Sequence, residues 1–236
     1  MKLTVLGNTG PYPKAGGACS GYLLEHNDLK ILLDLGNGTL ANYRNVAKIE
    51  EMTAVICSHL HADHISDLFV LRYALQFSGK TVPLYAPENP SQEFERLPFA
   101  SAFEVTAIHE DLVLTFDDLT ITFKEMKHPY QDYAIKVTDG KTTFVYTGDT
   151  AYCEALSEFT KGADVLLCDS AFLDDVDSDV HLSMEKAIQT ANEAGVRRLI
   201  LTHFNPEISP QRYYEIGNGR FKGRLSKAEI MSVFSL

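Results

Sequence analysis

Residues 58–68 read SHLHADHISDL, placing three histidines and an aspartate within six positions of a chain that holds eight histidines in all. His59 and His61 are two apart, so in an extended segment their side chains leave the same side and can share one cation. Asp63 and His64 follow a turn at the start of an expected helix and can address a second cation. Imidazoles joined by carboxylates suit zinc, and manganese or iron as the carboxylate content rises. This cluster cannot complete two coordination spheres, so more ligands are expected at the ends of later strands. Three candidates stand there: His128 closing LTITFKEMKHP, Asp149 in VYTGDT and His203 closing RLILTHF. Pro129 keeps the residue before it extended, and Gly148 lets the backbone approach closely.

The elements that must carry these residues can be read from hydrophobic periodicity. TAVIC, residues 53–57, is a buried strand whose tip presents the histidine cluster. Further strands are expected at 2–6, 21–25, 30–34 and 82–85, with helices at 40–47 and 67–77. A second set follows, with strands at 112–116, 119–127, 133–138, 142–146, 164–169 and 198–202 and helices at 153–159 and 183–193. Residues 210–216 and 227–234 also read as helical. Ser183 and Ser226 are helix starts, the latter in a capping-box pattern SKAE, and Gly195 suits the stop of the 183–193 helix. Strand meanders with interspersed helices, twice over, predict an α/β protein with two sheets packed face to face and helices outside.

At 236 residues, 45% hydrophobic and 22% charged, the chain fits one domain spanning 1–236. The opening MKLTVLG alternates like a strand and no apolar stretch reaches 18 residues, which predicts a cytoplasmic protein with no membrane contact. Cys19, Cys57, Cys153 and Cys168 show no CxxC spacing and read as buried free thiols in a reducing compartment. A formal net charge of −11 disfavours broad, non-specific binding to nucleic acid or anionic lipid. The cluster Arg220, Lys222 and Arg224 reads as a solvated turn.

With these residues in hand, the chain resembles the metallo-β-lactamase superfamily, whose HxHxDH signature is matched by His59, His61, Asp63 and His64. The later His, Asp and His of that family are matched in order by His128, Asp149 and His203. The resemblance implies a four-layer αβ/βα sandwich holding two divalent metal ions, zinc or alternatively manganese. It implies that His59, His61 and His128 hold one metal, that Asp63, His64 and His203 hold the other, and that Asp149 bridges them. The members of this superfamily cleave very different bonds, so the branch needs its own argument. Asp149 stands where the best-known lactamases carry Cys, and little chain follows His203 to form the helical substrate domain of glyoxalase II-like thioesterases.

Residues 168–206, CDSAFLDDVDSDVHLSMEKAIQTANEAGVRRLILTHFNP, resemble the matching stretch of ribonuclease Z and related phosphodiesterases. There an acidic residue, here Asp169, partners a histidine, here His181. The implied mechanism is two-metal hydrolysis of a phosphodiester, with Asp63 accepting the nucleophile's proton and His181, oriented by Asp169, supporting the departing oxygen. Two features depart from ribonuclease Z. The basic Gly/Pro-rich arm that grips tRNA is replaced by the short SGKTVPLYAPENPSQEFERLPF, and the N-terminal loop lacks a PTxxRN-type element. A small phosphodiester or single-stranded RNA is therefore the expected substrate, with a tRNA 3′-processing endoribonuclease and a non-catalytic metal-binding protein as rivals. The family likeness also suggests a homodimer. His26, His109, Tyr130 and Tyr133 are read as structural.

Overall fold

Strands form where apolar residues run nearly unbroken, and two of the early ones fold back on each other as a hairpin. In the computed structural model, which describes residues 1–236, GYLLEH and LKILLDL pair antiparallel around a turn at Asn27, whose φ is 50°. The backbone packs as two units, Met1–Ile108 with Glu229–Ser235, and His109–Ala228 with Leu236.

The first unit holds β1 (Lys2–Gly7), β2 (Gly21–His26), β3 (Leu29–Leu35), α1 (Thr39–Tyr43), β4 (Ala54–Ile56), α2 (Ala62–Ile65), α3 (Leu68–Ser78), β5 (Val82–Ala86), α4 (Ser91–Phe94) and β6 (Phe103–Ala107). Its seven-stranded sheet runs from the C-terminal strand Val233–Ser235 through β1, β2, β3, β4 and β5 to β6. The three pairings nearest Val233–Ser235 are antiparallel, and the three from β3 to β6 are parallel. Strands buried on both faces read as continuous apolar runs, and Ile31, Leu32, Leu33, Val55 and Ile56 are all fully buried. Burying each such side chain contributes roughly 1.5–3 kcal/mol, which holds the tips of β3 and β4 in fixed positions.

The second unit repeats the plan with β7 (Leu114–Phe116), β8 (Leu119–Met126), β9 (Asp132–Thr138), β10 (Thr143–Tyr146), α5 (Glu154–Thr160), β11 (Val165–Asp169), α6 (Met184–Glu193), β12 (Arg198–Thr202), α7 (Pro210–Gly217) and β13 (Arg224–Lys227). Its seven strands run in order from β7 to β13, three pairings antiparallel and then three parallel. Leu166, Leu167, Leu199, Ile200 and Leu201 fill its core. Helix α6 starts where expected, with Ser183 Oγ accepting from the Lys186 amide at 3.2 Å, and Gly195 follows it at a φ of 71°.

Residues 227–234 are not a helix. Arg224–Lys227 pairs parallel with β12, and Val233–Ser235 pairs antiparallel with β1. Between them Met231 has a φ of 66°, outside the helical region, and its amide donates to the Val5 carbonyl at 2.8 Å. Two open strand edges thus outcompete the local capping-box pattern of SKAE, as tertiary pairing commonly does for short apolar runs. The structure adds β6, which the periodicity does not predict: of Phe103–Ala107 only Phe103 is buried, and the run is five residues long. No helix is long and apolar enough to cross a membrane.

Candidate metal centre

In the first unit the donors come from one short segment. β4 ends at Ile56, the Cys57 amide donates to the Tyr85 carbonyl at 2.8 Å, and the chain then turns at Ser58 into α2, which His61 precedes as N-cap residue. Gly36, just beyond β3, lies against this turn: a Cβ there would sit 1.9 Å from the Asp63 carbonyl oxygen. Only glycine permits that approach. His59 and His64 are fully buried and Asp63 nearly so.

Asp34 organises this cluster from inside β3. Its Oδ1 accepts from the Ser58 amide at 2.7 Å, and its Oδ2 accepts from Ser58 Oγ at 2.8 Å and from His64 Nδ1 at 2.7 Å. Because Ser58 Oγ donates to Asp34, it accepts from His59 Nδ1, 3.1 Å away. Both rings are thereby set with the proton on Nδ1 and the lone pair on Nε2, the tautomer a metal ligand requires. His59 Nε2 lies 2.9 Å from His61 Nδ1. Two ligand nitrogens about 2.0–2.1 Å from a tetrahedral zinc are roughly 3.3 Å apart, so the pair suits one shared cation. Asp63 Oδ2 stands 3.6 Å from His64 Nε2, offering a second mixed pair. Asp34 holds a φ of 57°, a left-handed backbone that costs a non-glycine residue about 1–3 kcal/mol.

In the second unit the donors come from separate strand tips. His128 lies two residues beyond β8, Asp149 three beyond β10, Asp169 ends β11, and His203 follows β12 directly. His203 also has a left-handed backbone, with a φ of 54°. Metal-binding groups of Asp149, Asp169, His181 and His203 all lie within 4.8 Å of one another. His203 Nε2 is 3.2 Å from Asp149 Oδ2, and the His181 and His203 rings stack at 5.0 Å. His128 Nδ1 donates to the Val180 carbonyl at 2.9 Å, which fixes its lone pair on Nε2 as well. Burial lowers the pKa of His128 below its usual value, with Asp149 opposing, so the neutral ligand form is favoured.

Buried carboxylates require partners, and both units supply them with backbone amides. Asp169 accepts from the amides of Thr150 at 3.2 Å, Ala171 at 3.0 Å and Leu182 at 3.3 Å, while its Oδ2 receives His181 Nδ1 at 3.0 Å. Asp132 Oδ2 accepts from the Asp149 amide at 3.0 Å. Gly148 has a φ of 62°, and a Cβ there would lie 2.2 Å from Asp132 Oδ1. Asp132 therefore fixes the turn that presents Asp149.

The first unit gathers His59, His61, Asp63 and His64, and the second gathers His128, Asp149, Asp169, His181 and His203. Asp34 and Asp132, fully buried in supporting positions, are additional. An acidic residue inside the apolar run ILLDLG was a readable signal for Asp34. YQDYAIK carries no comparable signal for Asp132. The donor set of imidazole lone pairs and carboxylates, with the tautomers of His59, His64 and His128 fixed from behind, fits divalent cations.

Residues 30–204 match the family model described as the Beta-lactamase superfamily domain. This chain belongs to the metallo-β-lactamase superfamily. A probable metallo-hydrolase from Bacillus subtilis (strain 168), YhfI, is 37% identical over 211 residues, covering 86% of each chain. The crystal structure of YhfI, a metallo-beta-lactamase fold protein, superimposes with a TM-score of 0.94 and 33% identity over 99% of this chain and 98% of that one. A ribonuclease Z of Mycolicibacterium gilvum is 27% identical over 246 residues, covering 89% of this chain and 86% of that one. The short form of human tRNase Z shares the fold, with a TM-score of 0.79 at 21% identity over 100% of this chain and 99% of that one. This chain is thus a metal-dependent hydrolase with the metallo-β-lactamase α/β fold of mixed sheets and helices.

Proposed function

We propose that the two units act as one catalytic domain, residues 1–236, which hydrolyses phosphodiesters of small or single-stranded nucleotides. In this reading His59, His61 and His128 would hold one divalent cation, Asp63, His64 and His203 would hold the other, and Asp149 would serve both. Zinc is the ion this imidazole-rich set favours, with manganese the alternative. Bound there, such cations would lower the pKa of water and offset charge developing on the phosphoryl oxygens.

The observation that carries the reading is the His181–Asp169 pair, Nδ1 to Oδ2 at 3.0 Å, beside Asp149 and His203. A structural metal site needs only closed coordination, whereas an imidazole oriented by a carboxylate held by three amides is built to move a proton. With Nδ1–H directed at Asp169, His181 Nε2 is the atom that delivers a proton to, or supports, the departing oxygen. In this reading Asp63, 8% exposed, accepts the nucleophile's proton. The thiols of Cys19, Cys57 and Cys168 are buried and form no disulfide, which suits a reducing compartment such as the cytoplasm.

Likeness to ribonuclease Z over 89% of this chain favours a second reading, cleavage of precursor tRNA. One experiment separates the two. Zinc- or manganese-loaded protein is given a 3′-extended precursor tRNA and, in parallel, bis(p-nitrophenyl) phosphate, with Asp149→Ala as control. The first reading expects diester hydrolysis without accurate tRNA cleavage. Cleavage at the tRNA 3′ junction would establish the second reading, and hydrolysis of neither would refute both.

A further inference from the structure

The segment leading into His181 walls a cavity of about 290 Å³ lined by Lys127, Tyr152, Asp177, Ser178, Asp179 and Lys186. Three of the lining segments adjoin a residue of the proposed centre, and α6 supplies Lys186: Lys127 precedes His128, Tyr152 follows the Asp149 turn, and Asp177 to Asp179 lead to His181. The Ala151 amide donates to the Lys127 carbonyl at 2.9 Å, tying two of these walls together. We propose that this cavity is a nucleobase subsite of the phosphodiesterase proposed above, on which the inference rests.

Charge decides against a second phosphate. Two lysines face two aspartates, and the Lys127 Nζ is already held by Asp179 Oδ1 at 2.5 Å. An anion would gain little from a wall of zero net charge, whereas a neutral ring with donors and acceptors on its edge finds partners for both. Tyr152 supplies the flat surface: its side chain belongs to a residue 39% exposed, and Lys186 Nζ stands 5.7 Å from its ring centroid. Base–aromatic stacking is the common device of proteins that bind single nucleotides or unpaired strands. Asp177 accepts from an exocyclic amine. Ser178 Oγ already accepts from the amides of Val180 at 3.1 Å and His181 at 3.2 Å, so its own proton is available to a ring nitrogen or carbonyl. The volume is near the lower end of ligand pockets, about 300–1,000 Å³, and suits one base rather than a duplex.

A base seated here also touches catalysis, because the Val180 carbonyl receives His128 Nδ1 and the same turn delivers His181 to Asp169. Occupancy would order the segment that positions both imidazoles.

The test compares the p-nitrophenyl ester of a nucleoside 5′-monophosphate with methyl p-nitrophenyl phosphate, which lacks the base, on wild type, Tyr152→Ala, Tyr152→Phe and Asp177→Asn. Tyr152→Ala is expected to raise KM for the nucleoside ester roughly 5- to 100-fold relative to the methyl ester, the range of one lost base–aromatic stack. Tyr152→Phe should restore it, and Asp177→Asn should shift the preference among bases. Equal effects of Tyr152→Ala on both esters would overturn the proposal. If wild type hydrolyses neither ester, the phosphodiesterase reading fails, and saturation-transfer NMR with adenosine and cytidine then reads the subsite directly. Nucleoside signals lost in Tyr152→Ala would uphold the cavity as a base site, and signals absent from wild type would overturn it.

Discussion

The two units share a strand plan, three antiparallel pairings followed by three parallel ones in a seven-stranded sheet, yet they deliver their donors in opposite ways. The first unit concentrates His59, His61, Asp63 and His64 in a single turn after β4. The second spreads His128, Asp149, Asp169 and His203 over the ends of four strands and adds His181 from a loop. The first half therefore depends on local chain geometry, with one buried carboxylate, Asp34, fixing two ring orientations. The second depends on strand register: a one-residue slip in β10, β11 or β12 would turn a donor to the opposite face. Parallel strands make this possible, because their C-terminal ends lie side by side and present whatever follows to one edge.

Mutations should separate the halves, beginning with the largest effect. Asp149→Ala, which removes the proposed bridge, should reduce turnover to background and lower the bound metal measured by inductively coupled plasma mass spectrometry. His181→Ala should cut kcat about 10²- to 10⁴-fold, the usual worth of a positioned acid–base group, with bound metal unchanged. A loss of metal together with activity would instead make His181 a ligand. Asp34→Ala should weaken metal affinity or activity about 10- to 100-fold, as removal of a carboxylate behind a ligand imidazole generally does. Because Asp34 orients ligand rings directly whereas Asp132 acts on Asp149 through its backbone amide, Asp132→Ala should cost less metal affinity; the reverse order would mean that strand register outweighs ring orientation.

A smaller, global effect should follow metal addition. A divalent cation at 100 times its Kd stabilises the native state by about 2.7 kcal/mol, visible as a rise in Tm that a chelator reverses. Thiol reactivity should distinguish the halves least. Burial pushes the Cys19 thiol up to about 12, with Asp63 adding to the shift, and raises Cys57 and Cys168 well above their usual value. Only the half-buried Cys153 of the four cysteines should react quickly with a thiol reagent at pH 8, the other three reacting after denaturation.

The contrast also explains what could be read in advance. Local donors leave a dense signature, and SHLHADH announces its chemistry without knowledge of the fold. The dispersed ones became visible because each closes an apolar run, as RLILTHF does for His203. Asp132 stayed hidden because its function, accepting the Asp149 amide, arises from a tertiary contact between β9 and the turn after β10. The C-terminal segment departs from its helical pattern for the same reason: Lys227 and Val233 belong to strands because β12 and β1 offer them partners. Pairings distant in sequence leave little local trace, whereas caps such as Ser183 on α6 are local and were legible.

The most direct test of the central claim, that both halves serve one dinuclear phosphodiesterase site, is hydrolysis of bis(p-nitrophenyl) phosphate by metal-free protein titrated with zinc. The account predicts turnover that rises with metal bound and reaches its plateau at two equivalents per chain. Two equivalents bound without diester hydrolysis would contradict it.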